Sequence, residues 1–224
     1  MNKQSFYEKY GKRTIDFLCA MLALILLSPI LAVVACLVRI KLGTPVIFNQ
    51  SRPGKDEKIF SLYKFRTMTD ERDEQGNLLP DAQRMTHFGH KLRALSLDEL
   101  PELINIVKGD MAIVGPRPLL VRYLPFYTDE ERKRHSVRPG LTGLAQIHGR
   151  NSVEKWENRF AYDLEYVKKI TFWGDCKIIL KTVKNVFSSE GIVDPGYFDD
   201  FDVYRKKQQQ LQKVNGEEKH DGEK

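Results

Sequence analysis

The feature that most constrains this chain is the uncharged run Phe17–Val38, FLCAMLALILLSPILAVVACLV, with Ser28-Pro29 at its midpoint. A membrane helix needs about 20 apolar residues to cross a hydrocarbon core of roughly 30 Å, and this run meets that length. Proline inside a helix removes one backbone hydrogen bond and clashes with the preceding turn, so a bend is expected at Pro29. A helix from Phe17 to Leu27 would be about 16 Å long, near half the core thickness. Such a segment can dip to the midplane and return. Lys9, Lys12 and Arg13 precede the run, and Arg39 and Lys41 follow it. Basic residues favour the cytoplasmic side, and here both ends carry them. On these local grounds a re-entrant helix and a kinked spanning helix stand side by side, with a buried soluble-core helix as a third reading.

At 224 residues the chain fits one domain of about 180 residues behind that membrane element. The expected division is residues 1–41 for the lead-in and membrane helix, 42–200 for a membrane-apposed domain, and 201–224 for a polar, disordered tail. The net charge of +6, with acids and bases well mixed, suits an anionic lipid surface or phosphorylated substrates. No Cys/His finger, basic zipper or RNA-binding aromatic motif appears, which argues against nucleic acid as a partner. Of the three cysteines, Cys19 and Cys36 lie inside the run and Cys176 far from both. That spacing argues against a disulfide framework or a zinc site, and for a reducing compartment. The run is too long for a cleavable signal and no Ala-x-Ala-like site follows it, so it is expected to stay attached.

Beyond the run, VIFNQ and KIFSLYKFRTM read as two strands joined across RPGKDE, whose Pro-Gly signals a turn. Thr69–Arg84 is charged, with Gly and Pro, and reads as an exposed loop able to close over a ligand. His90–Val107 reads as mainly helical, and Thr128–His135 as a short charged helix. Ser152–Ile170 repeats Trp156, Phe160, Leu164 and Val167 at helical spacing. Phe172-Trp173 followed by CKIILKTVKNVF suits either a helix lying in the membrane interface or an amphipathic helix packed on the core.

The chemistry centres on Leu95-Ser-Leu-Asp-Glu-Leu-Pro-Glu-Leu103. Asp98 and Glu99 are adjacent carboxylates ahead of Pro101, a residue tolerated in a first helical turn. One reading is structural: Ser96 with Glu99 matches a capping box, and acids near a helix N-terminus are favoured by its dipole. The other is catalytic. Two neighbouring carboxylates can hold a divalent cation between protein and substrate phosphates while one of them attacks phosphorus, the dipole keeping it ionised. Cations surround the pair in sequence: Lys64 and Arg66 at the end of the second strand, Arg93 before Asp98, Arg117 between two prolines, Arg138 in Arg-Pro-Gly and Arg150 in Gly-Arg-Asn. Guanidinium groups on stiff turns suit bidentate phosphate contacts. His87, His90, His135 and His148 show no ligand spacing and read as loop or surface residues. Thr142–Gln146 is neither a Walker loop nor a dinucleotide fingerprint.

These motifs together resemble the bacterial sugar transferases known as small monotopic phosphoglycosyl transferases. The matching positions run in order over about residues 8–187: Lys12-Arg13 with Asp16, Ser28-Pro29, Gly54-Lys55, Lys64-Phe-Arg-Thr-Met68, Arg93 with Leu97–Leu103, Gly109-Asp-Met111, Val114-Gly-Pro-Arg-Pro118, Arg138–Gly143 and Gly149-Arg-Asn151. The resemblance implies a mainly helical α+β fold. A re-entrant helix broken at Ser28 and Pro29 would join a small cytoplasmic catalytic domain with a β-hairpin and interfacial amphipathic helices. It implies transfer of a sugar 1-phosphate from a UDP-sugar to polyprenyl (undecaprenyl) phosphate, giving UMP and polyprenyl-diphosphate-sugar at the cytoplasmic face of the inner (plasma) membrane. It further implies Asp98 as the nucleophile of a covalent phosphosugar intermediate, with Glu99 as metal ligand or acid/base. Mg²⁺, or alternatively Mn²⁺, would be held by Asp98 and Glu99, and Lys64, Arg93, Arg117 and Arg150 would bind substrate phosphates. Membrane lipid is then a partner, with a homo-oligomer or downstream glycosyltransferases as protein partners left open. The sugar and the glycan, whether capsule, exopolysaccharide or glycoprotein oligosaccharide, are not specified. Two alternatives differ in outcome: a glycosyltransferase releasing UDP, and an inert basic membrane scaffold indifferent to Asp98.

Overall fold

The computed structural model describes residues 6–148, 156–188 and 200–221. One helical element, α1 (Lys12–Leu42), carries the whole apolar run and is entered through a π-helical turn at Tyr7–Gly11. Where the sequence led to the expectation of a bend, at Ser28-Pro29, the helical backbone runs on without interruption. Local chemistry explains why. Pro29 has no N–H to give the carbonyl of Ile25, and an unsatisfied carbonyl is costly in hydrocarbon. The Ser28 hydroxyl donates to that same carbonyl at 2.7 Å. Serine thus fills the bond that proline vacates.

A straight helix of this length would run about 46 Å, yet both its halves rest on one body. Ala20, Ala23, Leu24 and Leu27 join Leu62, Leu103, Ile106 and Met111. Leu31, Val34, Ala35, Val38 and Leu42 join Phe65, Phe88 and Leu92. These positions recur every three or four residues, so a single stripe is packed, while Leu22, Ile25, Leu26, Ile30 and Val33 stay exposed. Among the described residues Tyr7–Leu42 is long and apolar enough to cross a membrane. Polar contacts pin its N-terminal end. Lys12 Nζ and the Tyr7 hydroxyl each lie 2.7 Å from Asp175 Oδ2, and Asp16 accepts from Ile113 N at 3.2 Å.

The expected hairpin is present. β1 (Ile47–Pro53) pairs antiparallel with β2 (Ile59–Phe65), in register from Ile47 opposite Phe65 to Pro53 opposite Ile59. The segment after β2 is more ordered than a plain loop: Met68 bridges Met85, Arg72 bridges Leu78, and a one-turn helix, α2 (Asp81–Arg84), closes it. His90–Val107 is split into α3 (His87–Ala94), a 3-10 turn (Leu97–Glu99) and α4 (Glu102–Lys108). The split falls at Ser96, whose φ of 53° is left-handed and ends helical hydrogen bonding.

β3 (Ala112–Val114) then leads to Gly115-Pro116-Arg117-Pro118. α5 (Asp129–Arg132) starts with a capping box between Thr128 and Glu131. β4 (Gly140–Thr142) pairs parallel with β3. A Cβ on Gly140 would sit 2.1 Å from Gly115 N, so only glycine allows that approach. α6 (Leu144–Ile147), α7 (Trp156–Lys168) and α8 (Phe172–Ser188) follow. The buried face of α7 runs through Phe160, Asp163 and Tyr166, so two polar side chains lie where apolar spacing pointed elsewhere. α8 buries Asp175 and Ile178 and exposes Phe172, Leu180, Val183 and Trp173, the last 74% exposed.

The tail expectation is corrected. α9 (Phe201–Asp221) is helical, and Phe201 at 0% exposure is among the most buried side chains. It packs on Tyr123, Tyr127, Trp156 and Phe160 with ring centroids 5.0–5.6 Å apart. Composition misled here because the polar stretch begins only after this anchor. Phe201→Ala is expected to lower stability by about 3–5 kcal/mol, the usual cost of emptying a buried aromatic site. Chemical denaturation of the detergent-solubilised chain measures it, and a loss below about 1 kcal/mol, within the range of ordinary substitutions, would show that α9 does not dock.

Candidate active site

The 3-10 turn Leu97–Glu99 projects its two carboxylates toward the end of β2 and the Pro-Arg-Pro turn after β3. Pro101 is the N-cap of α4, as a residue without an N–H should be. The capping box read at Ser96 and Glu99 is absent: Ser96 makes no side-chain cap, and Glu99 is used elsewhere. Glu99 Oε1 accepts from Lys64 Nζ at 2.8 Å and from Arg117 NH2 at 2.6 Å. Burial alone would raise the Glu99 carboxyl, but the Arg117 and Lys64 charges outweigh it and hold the group well below the usual carboxylate range. Arg117 is correspondingly held above its ordinary value by Glu99.

Asp98 differs from its neighbour. It is 7% exposed and has no hydrogen bond or ion pair among the described residues. Burial pushes its carboxyl up, the Glu99 charge adds to that, and Lys64, Arg93 and Arg117 oppose it. Those three cations are what favours its charged form, since a three-residue turn has little dipole to give. Arg93 donates from Nε to Thr67 Oγ1 at 3.2 Å, and its charge acts on Asp98.

Lys64, Arg93 and Arg117 therefore converge on Asp98 and Glu99. Arg150 lies outside the described residues. Arg138 and Arg66 serve the frame instead: Arg138 donates to Gly109 O at 2.9 Å, and Arg66 to Thr44 O at 2.7 Å and Met68 O at 2.9 Å. His87 and His90 are exposed, but His135 is buried, against the surface reading. It packs on the Tyr127 ring, and burial, with the Arg134 charge, pushes it down to about 3.

Two site residues were missed in the sequence. Glu102 is 2% exposed and lies 3.1 Å from Lys64 Nζ. Its spacing of three from Glu99, on the same side of a helical turn, was the available signal. Arg52 sits before a Pro-Gly turn, as the singled-out Arg138 does. Its NH1 donates to Pro118 O at 3.3 Å and its NH2 to Gln50 Oε1 at 2.6 Å. Burial, then the nearby Arg117 charge, lowers Arg52 to about 10.

No cluster of three metal-ligating side chains occurs among the described residues. A hard divalent cation needs no such cage, because Mg²⁺ commonly takes one or two carboxylates and completes its shell with water and substrate phosphates. The unpartnered Asp98 carboxylate and the second oxygen of Glu99 fit that donor set.

Known proteins resemble the chain as a whole. The family model for the bacterial sugar transferases matches residues 7–189. The sugar transferase EpsL of Bacillus subtilis is 52% identical over 181 residues, covering 81% of this chain and 89% of the relative. The UDP-glucose:undecaprenyl-phosphate glucose-1-phosphate transferase of Escherichia coli is 40% identical, covering 77% of this chain and 39% of the relative. The undecaprenyl-phosphate galactose phosphotransferase of Salmonella typhimurium is 36% identical, covering 82% and 42%. The chain thus spans about two fifths of the length of these two relatives.

Glu102 carries a pH signature. Burial raises it to about 7, against Lys64 and with the Glu99 charge. A carboxyl whose folded pKa exceeds its unfolded value keeps its proton on folding between the two. Its stabilising share is therefore full below the ordinary 4.5 and is lost as pH rises through about 7. Glu99 has the opposite sign, present above its ordinary value and lost only in strong acid. Glu102→Gln is expected to flatten the fall in stability across that window, measured by denaturation at stepped pH. An unchanged slope would mean that Glu102 is not the group involved.

Proposed function

This chain belongs to the bacterial sugar transferase family, and on that footing we propose that it transfers a sugar 1-phosphate from a UDP-sugar to undecaprenyl phosphate, releasing UMP. The product, undecaprenyl-diphosphate-sugar, would start a capsule, exopolysaccharide or glycoprotein glycan. One observation carries the reading: of two adjacent carboxylates, Glu99 is tied down by Lys64 and Arg117, while Asp98 lies beside the same cations without a partner among the described residues. A nucleophile needs that freedom.

In the first step an Asp98 oxygen bonds to the β-phosphorus as the bond from that phosphorus to the bridging oxygen breaks, and the electron pair leaves with UMP. The result is an aspartyl phosphosugar. In the second step an oxygen of undecaprenyl phosphate attacks the same phosphorus, and the acyl-phosphate bond breaks to return its electron pair to Asp98. Lys64, Arg93 and Arg117 hold phosphate oxygens and offset the charge of anion approaching anion. Arg150 joins them on the strength of the family resemblance alone. Glu99 orients Lys64 and Arg117. Mg²⁺ or Mn²⁺, held by Asp98 and Glu99 with the substrate phosphates, would neutralise charge on the leaving phosphate.

The same reading makes α1 re-entrant, with the catalytic domain on the cytoplasmic face of the inner membrane. Both halves of α1 rest on one body, whereas a helix spanning about 30 Å of hydrocarbon would carry its ends to opposite faces. The exposed Phe172, Trp173, Leu180 and Val183 of α8, interleaved with Lys177, Lys181 and Lys184, suit the headgroup boundary.

With undecaprenyl phosphate and a panel of UDP-sugars, the full chain should release UMP. Release of UDP instead would overturn phosphosugar transfer. Asp98→Asn, which breaks no ion pair, should retain the fold and lose about 10³-fold or more in kcat, as removal of a covalent nucleophile does; near-normal turnover would end the Asp98 mechanism. In a cysteine-free background, Lys9→Cys should resist a membrane-impermeant maleimide in intact cells and react after permeabilisation. Labelling of intact cells would show the N-terminal end outside and refute re-entrance.

A further inference from the structure

The Pro116-Arg117-Pro118 turn is held in an unusual way. Prolines supply no N–H, so the turn depends on its carbonyls for anchoring. All three are taken, each by a different element. Pro116 O accepts from Gly140 N of β4 at 3.0 Å. Arg117 O accepts from Arg134 NH2 at 2.7 Å, and Pro118 O accepts from Arg52 NH1 of β1 at 3.3 Å.

Arg134 is itself immobilised. Its Nε and NH2 donate to Asp163 Oδ2 of α7 at 3.0 and 2.7 Å. Side-chain exposures of 1% and 2% place the pair in the interior. The guanidinium lies over the rings of Tyr127 and Phe160 at 5.9 and 5.8 Å, and Phe201 packs on both rings. A buried ion pair is a weak means of stabilising a fold, since well-packed apolar residues often serve as well. A planar fork that binds a carboxylate along one edge and a carbonyl from the same nitrogen does something apolar residues cannot. It fixes the peptide that carries Arg117.

We infer that Arg134, locked by Asp163, is a positioning residue that sets the Pro116–Pro118 turn and so aims the Arg117 guanidinium at Glu99 and the phosphates of the nucleotide sugar. The inference rests on the reading of Arg117 as a phosphate-binding residue. Arg134 touches neither Asp98 nor Glu99 by hydrogen bond, so its influence on turnover runs through Arg117. A lysine in its place keeps the charge for Asp163 but has no fork with which to reach Arg117 O as well.

The test is a double-mutant cycle on the full-length enzyme in detergent, reading UMP release. Arg134→Lys should raise KM for the UDP-sugar roughly tenfold, in keeping with the sensitivity of bound geometry to small misplacements, and should leave KM for undecaprenyl phosphate little changed. In the Arg117→Ala background the same substitution should have no further effect on kcat/KM, because the group it positions is gone. If Arg134→Lys lowers kcat/KM by the same factor in both backgrounds, the pair is structural and the inference fails while the function stands. If Arg117→Ala alone leaves kcat/KM at the wild-type value, the phosphate-binding reading fails and the inference falls with it. Should Arg134→Lys not fold, as judged by its thermal transition, Asp163→Asn goes through the same cycle, since it keeps the side-chain shape and frees the guanidinium. It is expected to raise the same KM and to lose its effect in the same background.

Discussion

One oxygen ties the site together. Glu99 Oε1 takes the Lys64 ammonium and the Arg117 guanidinium at once, so the end of the hairpin, the acidic turn and the Pro-Arg-Pro turn meet at a single acceptor. Three half-buried charges brought this close are favoured when mutually paired, because partial desolvation penalises an isolated one. The pairing leaves one carboxylate over. Asp98 feels the same cations through space, yet spends no oxygen on them.

The membrane element is coupled to this site through α4. Its first residue follows the acidic turn across Pro101, and its last carbonyls, those of Ile106 and Val107, accept from Arg13 at 2.6 and 2.9 Å. Along its length Asn105 locks it to β2, accepting from Tyr63 N at 3.0 Å and donating to Ser61 O at 2.7 Å. The helix that follows the acidic turn is thus bonded to both α1 and β2. Lys12 and Arg13, read from sequence as charges at a membrane boundary, are also the bonds that hold anchor and site in register. The Ser28-Pro29 pair fits this role, since a helix whose one broken bond is refilled by its own serine crosses apolar surroundings without an orphan carbonyl.

Much of the arrangement was legible because it depends on short-range signals. The hairpin follows from alternating residues around Pro-Gly, whereas the choice of Lys64, Arg93 and Arg117 among the cations came with the family resemblance, since Arg66 and Arg138 stood out in the sequence equally and serve the frame. What sequence hid depends on distant partners. Asp163 on α7 looks like a surface acid until Arg134, far away in the chain, is found beside it. Glu102 reads as an ordinary first-turn acid, favoured by the dipole, until burial, with the Glu99 charge, raises it to about 7 against the pull of Lys64. Phe201 was lost in a polar tail because one aromatic residue carries little weight in composition, although four rings meet around it. Ser96 illustrates the reverse error: its capping pattern is correct locally, but the demand on Glu99 from Lys64 and Arg117 wins.

Charge balance completes the account. Lys64, Arg93 and Arg117 face Asp98 and Glu99, and Arg52 lies near Arg117 and Glu102, the last raised to about 7. The cations exceed the anions, and after burial the strongest influence on Arg52 is repulsion from Arg117. Guanidiniums that repel each other are relieved by an anion placed between them, and the diphosphate of the proposed substrate would bring more than one negative charge. That relief would come on binding and need not wait for the transition state. In the proposed reaction the catalytic gain would then come from how the same groups track charge as it moves from the bridging oxygen to the departing nucleotide, and that depends on their being fixed before substrate arrives. Fixation is what the rest of the fold supplies: Glu99 for Lys64 and Arg117, Thr67 for Arg93, Gln50 and the Pro118 carbonyl for Arg52. Asp98 has no such tether among the described residues, which is the freedom the proposed nucleophile requires.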